Sequence, residues 1–108
     1  MPLRALELTA FEAKAAEVAQ ILRALGNERR LMILCKLAEW GETSPSTLSG
    51  EVGLSQSALS QHLAKIREEG IVDSRRDGQT LWYRISDPRI EKLLAKLHRL
   101  YCSSARRT

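Results

Sequence analysis

The chain has 108 residues, 44% of them hydrophobic, and 17 Lys and Arg against 13 Asp and Glu give it a formal charge of +4. That length suits one small domain and excludes two ordinary ones, and the apolar fraction excludes wholesale disorder. The small positive balance suits a nucleic-acid partner without requiring one.

No apolar run approaches the roughly 20 residues that span a bilayer. The stretch from Met1 to Glu12 lacks a basic-then-apolar signal. A cytoplasmic protein is expected, in which two cysteines act as thiols rather than as a disulfide framework.

The first predicted helix runs from about Thr9 to Leu25. Thr9 and Glu12 have the spacing of a capping box. Phe11, Ala15, Val18, Leu22 and Leu25 fall on one stripe, and Gly26 is expected to close the helix in the left-handed conformation. Asn27 opens a second helix, about Glu28 to Trp40, with its inner face expected at Leu31, Leu34, Cys35 and Ala38. A short third helix begins at Ser44, with Pro45 in the first turn, where its missing N–H costs nothing; it stops at Gly53. Ser55 caps a fourth helix that reaches about Glu69, and Gly70 closes it.

The hydrophobic period then changes from helical to two-residue. Ile71 to Arg76 and Gln79 to Ile85 are predicted strands, and Asp77-Gly78 between them predicts a type I′ hairpin turn. Asp87-Pro88 announces a last helix with Ile90, Leu94, Leu97 and Tyr101 on its stripe, thickened by Leu93 and Leu100. The polar tail from Ser103 to Thr108 is expected to fray. The predicted fold is mainly α with a β-hairpin, in the order α-α-α-α-β-β-α, as a single domain over residues 1–108.

Residues 44–69 have the layout of a helix-turn-helix, whose second helix lies in the major groove of DNA. In that helix Leu59, Leu63 and Ile66 share one face. Ser57, Ser60, Gln61 and Ala64 lie opposite, with Gln56 and His62 at the flanks. Exposed Gln and Ser exchange hydrogen bonds with base edges, and Lys65 and Arg67 suit phosphates. One such helix alone is equally a solvated amphipathic helix. The hairpin at about 71–85 shifts the balance, because it has the place of a wing, with Arg75 and Arg76 before the turn and Arg84 beyond it. Asp73 and Asp77 dilute that charge. Apolar stripes on the first and last helices, about 9–25 and 88–103, predict a homodimer. Its two recognition helices would meet successive major grooves of an inverted repeat, about 34–36 Å apart.

These residues resemble the ArsR, or arsenic-repressor, family of winged-helix regulators. Ala24-Leu25-Gly26-Asn27-Glu28-Arg29-Arg30-Leu31 resembles the family's opening helix junction. Leu54-Ser55-Gln56-Ser57-Ala58-Leu59-Ser60-Gln61-His62-Leu63 resembles its recognition helix, and Trp82-Tyr83-Arg84-Ile85 its wing. The resemblance covers roughly Ala15 to Cys102 and implies a homodimer that represses from operator DNA until an inducer is sensed.

Thiol-rich metal sensors of the family carry Cys-x-Cys in the second helix, where this chain has Cys35 alone. The zinc and nickel type wants His where Arg89 follows Asp87, and ligands where Leu100 and Ser103 stand. The two remaining cysteines resemble the persulfide-sensing subgroup, to which repressors of biofilm growth and of sulfide oxidation belong. That resemblance implies Cys35 and Cys102 as a redox pair, bridged by a disulfide or polysulfide that releases DNA. His98, one turn from Cys102, is placed to favour a thiolate.

Other readings stand beside these. Cys35 on an apolar helix face also reads as core, and His98 as a solvated side chain. His98 and Cys102 with Cys35 offer a zinc-responsive alternative that is short of ligands, and a winged helix also serves as a protein-interaction module. No cofactor, metal or catalytic residue is expected: the chain lacks a phosphate-cradling glycine loop, H-E-x-x-H, and a nucleophile–base–acid set.

Overall fold

The computed structural model describes residues 5–102. In chain order these form α1 (Ala5–Ala13), α2 (Ala15–Leu25), α3 (Glu28–Trp40), α4 (Pro45–Val52), α5 (Gln56–Glu68), β1 (Val72–Asp77), β2 (Thr80–Ile85) and α6 (Pro88–Cys102). The tail from residue 103, expected to fray, lies outside the described residues.

The order differs from the predicted one by a helix, because the first helix is two. It begins by Ala5, so Thr9 lies inside α1 and is no cap: Ala, Leu and Glu upstream are good helix formers and carry Thr9 along. At Lys14 the backbone leaves helical geometry, and its N–H bonds back three residues to the Phe11 carbonyl at 2.9 Å. From Glu7 to Glu17 every side chain is exposed, so among the described residues no buried side chain holds the two helices in line.

Gly26 also departs from expectation. It has φ −79°, so it supplies no left-handed residue. Its value is space, since a Cβ there would lie 3.2 Å from the Leu22 carbonyl oxygen. The tight corner lets Asn27 take up extended backbone and accept the Arg30 N–H at 3.1 Å through Oδ1, capping α3 as the sequence predicts.

The inner face of α3 is turned from the predicted one. Ile33, Leu34 and Leu37 are fully buried, whereas Leu31, Cys35 and Ala38 are only packed against the core's edge. A helix covered on more than one side centres its buried stripe on the residues that face the middle of the cluster. That cluster adds Leu48 from α4, Leu59, Leu63 and Ile66 from α5, Ile71, Val72, Tyr83 and Ile85 around the hairpin, and Ile90 and Leu94 from α6.

The strands pair antiparallel with Val72 opposite Ile85 and Asp77 opposite Thr80. The two-residue turn is therefore Gly78-Gln79, with positive φ at Gly78 alone, which is the type II′ requirement and not type I′. Thr43 adds a one-residue third strand: its N–H and carbonyl both bond to Tyr83, at 3.1 and 2.8 Å. This bridge pins the hairpin to the turn between α3 and α4.

Deleting buried methyl groups at the centre of this cluster removes packing that the rigid surroundings cannot restore. Leu34→Ala is expected to lower the unfolding free energy by about 2–5 kcal/mol, and Asn27→Ala by about 1 kcal/mol. Urea denaturation followed by circular dichroism measures both, and a Leu34→Ala loss no larger than the Asn27→Ala loss would contradict this core.

Candidate nucleic-acid interface and cysteine cleft

Pro45 occupies the first turn of α4, and Gly53 ends that helix in the left-handed conformation, φ 68°. Ser55, in extended backbone, accepts the Ala58 N–H at 3.2 Å and starts α5. Leu59, Leu63 and Ile66 anchor α5 in the core with 0–1% of their surface exposed. The opposite side therefore faces solvent: Gln56, Ser57, Ser60, Gln61, Ala64, Lys65 and Arg67 are all exposed. This is a narrow, uncharged, small-residue ridge with cations at its C-terminal end, and its shape and hydrogen-bonding groups suit a major groove.

His62 differs from its neighbours. It is half-buried and accepts a hydrogen bond from Arg30 Nε to Nδ1 at 3.4 Å. Burial, then the charges of Arg30 and Arg29, hold its pKa below the ordinary 6.5. Its imidazole is a neutral link between α5 and α3.

The pleat of the hairpin sorts the three arginines that the sequence grouped as one basic wing. Arg75 stands opposite Trp82 and Asp73 opposite Arg84, so all four side chains share one face. There Arg75 donates from Nε and Nη2 to both Glu42 carboxylate oxygens, at 2.8 and 2.9 Å, and stacks over the Trp82 ring at 5.9 Å. Arg84 donates in the same way to Asp73, at 3.0 and 3.4 Å. Both cations are internally neutralised. Arg76 points to the other face, is exposed, and forms no ion pair among the described residues. Glu42 was missed in the sequence because 33 positions separate it from Arg75, and no local pattern announces such a pair.

Cys35 and Cys102 are both free thiols, the first half-buried and the second exposed at the end of α6. Cys35 opens into a cleft of about 760 Å³ between α3 and α6, together with Glu39, Glu91, Leu94, His98 and Arg99. His98 thus shares a cleft with Cys35, while Cys102 lies outside that lining. Burial pushes the Cys35 thiol above its ordinary 9.0, and the Lys36 charge beside it offsets this only in part. Lys36 is itself held by Glu39 and Glu51, at 3.4 and 3.5 Å. Among the described residues no three His, Cys, Asp or Glu side chains come together as a metal-ligand set, and no helix is long and apolar enough to cross a membrane.

The family described as "bacterial regulatory protein, arsR family" matches residues 27–74. The transcriptional activator HlyU of Vibrio cholerae serotype O1 is 43% identical over 99 residues, covering 92% of this chain and 91% of that protein. The solved transcriptional repressor BigR from Xylella fastidiosa superposes with a TM-score of 0.82 at 37% identity, covering 87% of this chain and 95% of that one. A homodimeric winged helix-turn-helix DNA-binding domain, Mb0332 from Mycobacterium bovis, superposes with a TM-score of 0.76 at 29% identity, covering 90% and 89% of the two chains.

The unequal burial of the thiols predicts unequal reactivity, since the thiolate is the nucleophile. Iodoacetamide is expected to label Cys102 first in the reduced protein. Labelling of Cys35 should lag and keep accelerating as the pH is raised past 9.0, the ordinary value that burial lifts. Peptide mass spectrometry along a time course reads both rates, and faster labelling of Cys35 at neutral pH would contradict this.

Proposed function

The chain belongs to the ArsR family of bacterial regulatory proteins, and from that premise we propose a homodimeric repressor that releases operator DNA when Cys35 and Cys102 are bridged by reactive sulfur. It is a DNA-binding transcription regulator and not an enzyme. The Vibrio relative is named an activator and the Xylella relative a repressor.

One observation carries the sulfur reading. Cys35, on α3 and packed against the core's edge, lines a cleft whose other wall is α6, the helix that ends in Cys102. A link between those thiols ties α3 to α6. A low-molecular-weight persulfide supplies the oxidising equivalents: its outer sulfur passes to one cysteine and a thiol departs. The second cysteine then attacks the protein persulfide, closing a disulfide and releasing hydrogen sulfide. Atoms and electrons balance at each step.

The DNA contacts belong on the exposed side of α5, from Gln56, Ser57, Ser60 and Gln61 for base edges and Lys65 and Arg67 for phosphates. Arg76 adds a wing contact, whereas His62 and Arg75 serve through Arg30 and Glu42. A cytoplasmic location goes with a DNA partner.

The dimer reading rests on exposed apolar surface at both ends of the chain: Leu8, Phe11 and Leu22 in α1 and α2, and Leu100 and Tyr101 in α6, the last two 70% and 82% exposed. Surface of this kind marks an interface, and the Mycobacterium bovis neighbour is homodimeric. Leu100→Glu and Leu22→Glu are expected to convert a dimer into folded monomer in sedimentation velocity at micromolar concentration. A wild-type protein that is already monomeric there, yet binds DNA tightly, would overturn the dimer.

Fluorescence anisotropy on DNA from the chain's own promoter tests the switch. Reduced protein should bind, and a persulfide donor should weaken binding at least tenfold. Cys35→Ser and Cys102→Ser variants should bind and ignore the donor. Tight binding unchanged by the donor in the wild type would overturn sulfur sensing and leave DNA binding intact.

A further inference from the structure

A second cleft, of about 410 Å³, opens where the start of α4, the first residue of α5 and the hairpin turn converge. Its polar lining is Ser44, Ser46, Gln56, Arg76, Gln79 and Thr80. Every one of these groups can donate a hydrogen bond, and one is a permanent cation. The remaining lining is Pro45 and Leu81, so no carboxylate enters it.

We propose that this cleft seats one backbone phosphate of the bound DNA in each protomer, with Arg76 as the charge that neutralises it. The proposal rests on the DNA-binding reading and adds a division of labour to it. A phosphodiester presents one negative charge and two free oxygens. A guanidinium meets that group with a fork of parallel donors, and the serine and threonine hydroxyls and the Gln79 amide complete the shell.

The position of the seat fits the same ligand. Gln56 is both its wall and the first residue of α5, so a phosphate held there lies at the end of the helix that enters the groove. Such a contact fixes the depth and register of the helix without reading sequence.

The pleat selects Arg76 over its neighbour. Arg75 would have to leave two hydrogen bonds to Glu42 and the face of Trp82, whereas Arg76 gives up no ion pair among the described residues. Arg75 is then a positioning residue, which with Glu42 braces the hairpin that forms one side of the seat.

The test is the salt dependence of binding to an operator duplex from the chain's own promoter. Each phosphate contact contributes a slope of about −0.9 to log K against log salt. Arg76→Gln should therefore flatten the slope by about 0.9 per protomer and weaken binding to every DNA sequence alike. Arg75→Gln should leave the slope unchanged. The double change Ser46→Ala with Thr80→Val should weaken binding with the slope kept, because it removes neutral donors only.

Methylphosphonate replacement of backbone phosphates, one per half-site in turn, should find one position that weakens the wild type but not Arg76→Gln. An unchanged slope in a folded Arg76→Gln that still binds DNA would overturn the seat alone. A loss confined to one base pair would make Arg76 a base reader and also overturn it. A wild-type protein without salt-dependent DNA binding would overturn the DNA reading and the seat together.

Discussion

Burial of one face of α3 is the constraint on which the molecule depends. Ile33, Leu34 and Leu37 have no exposed surface, and each such side chain contributes about 1.5–3 kcal/mol by leaving water. The helix packs against α2, α4, α6 and β2, so it sets the positions of the helix-turn-helix, the hairpin and the C-terminal helix at once. Arg29 and Arg30, in its first turn, reach the end of α4 and His62 of α5. A shift of α3 is therefore felt in both helices of the helix-turn-helix.

That placement gives a half-buried cysteine its significance. Cys35 sits beside the fully buried Leu34 and at the edge of the same core, and burial raises its thiol above the ordinary 9.0. Interiors are packed at crystal-like density, so a displaced helix moves its neighbours rather than compressing them. In the proposed switch, a covalent link from this position to the end of α6 changes the angle between two dimer-related lobes. Driving a two-state equilibrium from 99:1 to 1:99 takes about 5.5 kcal/mol of differential stabilisation, and that is what the link has to supply.

Much of the fold was legible because its signals are local. Asn27 and Ser55 cap their helices as their side chains predict, and the alternation from Leu81 to Ile85 gives a strand with Tyr83 and Ile85 inside. The misses have physical causes. Thr9 and Glu12 have capping-box spacing, but the helix formers before them continue the helix upstream. Gly26 serves space rather than a left-handed turn, a distinction that depends on the Leu22 carbonyl above it. The hairpin register moved the turn from Asp77-Gly78 to Gly78-Gln79, and register is set by pairing along the whole strand.

The exposed side of α5 follows from its apolar positions alone, because whatever opposes a buried stripe is exposed. The wing was harder. Three arginines look equivalent in sequence, and only strand alternation with the distant Glu42 separates two neutralised cations from one that has no ion pair among the described residues. The cysteine cleft was invisible for the same reason, since its walls come from helices more than fifty positions apart.

The most direct measurement is the distance between the two recognition helices in solution, before and after bridging. A spin label carried by an unnatural amino acid at the exposed Ala64 leaves the cysteines untouched, and pulsed electron resonance reads the separation across the dimer. Reduced protein should place the helices at a spacing compatible with successive major grooves, about 34–36 Å. A persulfide donor should move the distribution away from that spacing, and Cys35→Ser should abolish the movement. An unchanged distribution in protein shown by mass to be bridged would contradict the claim that sulfur chemistry at α3 and α6 repositions the DNA-reading helices.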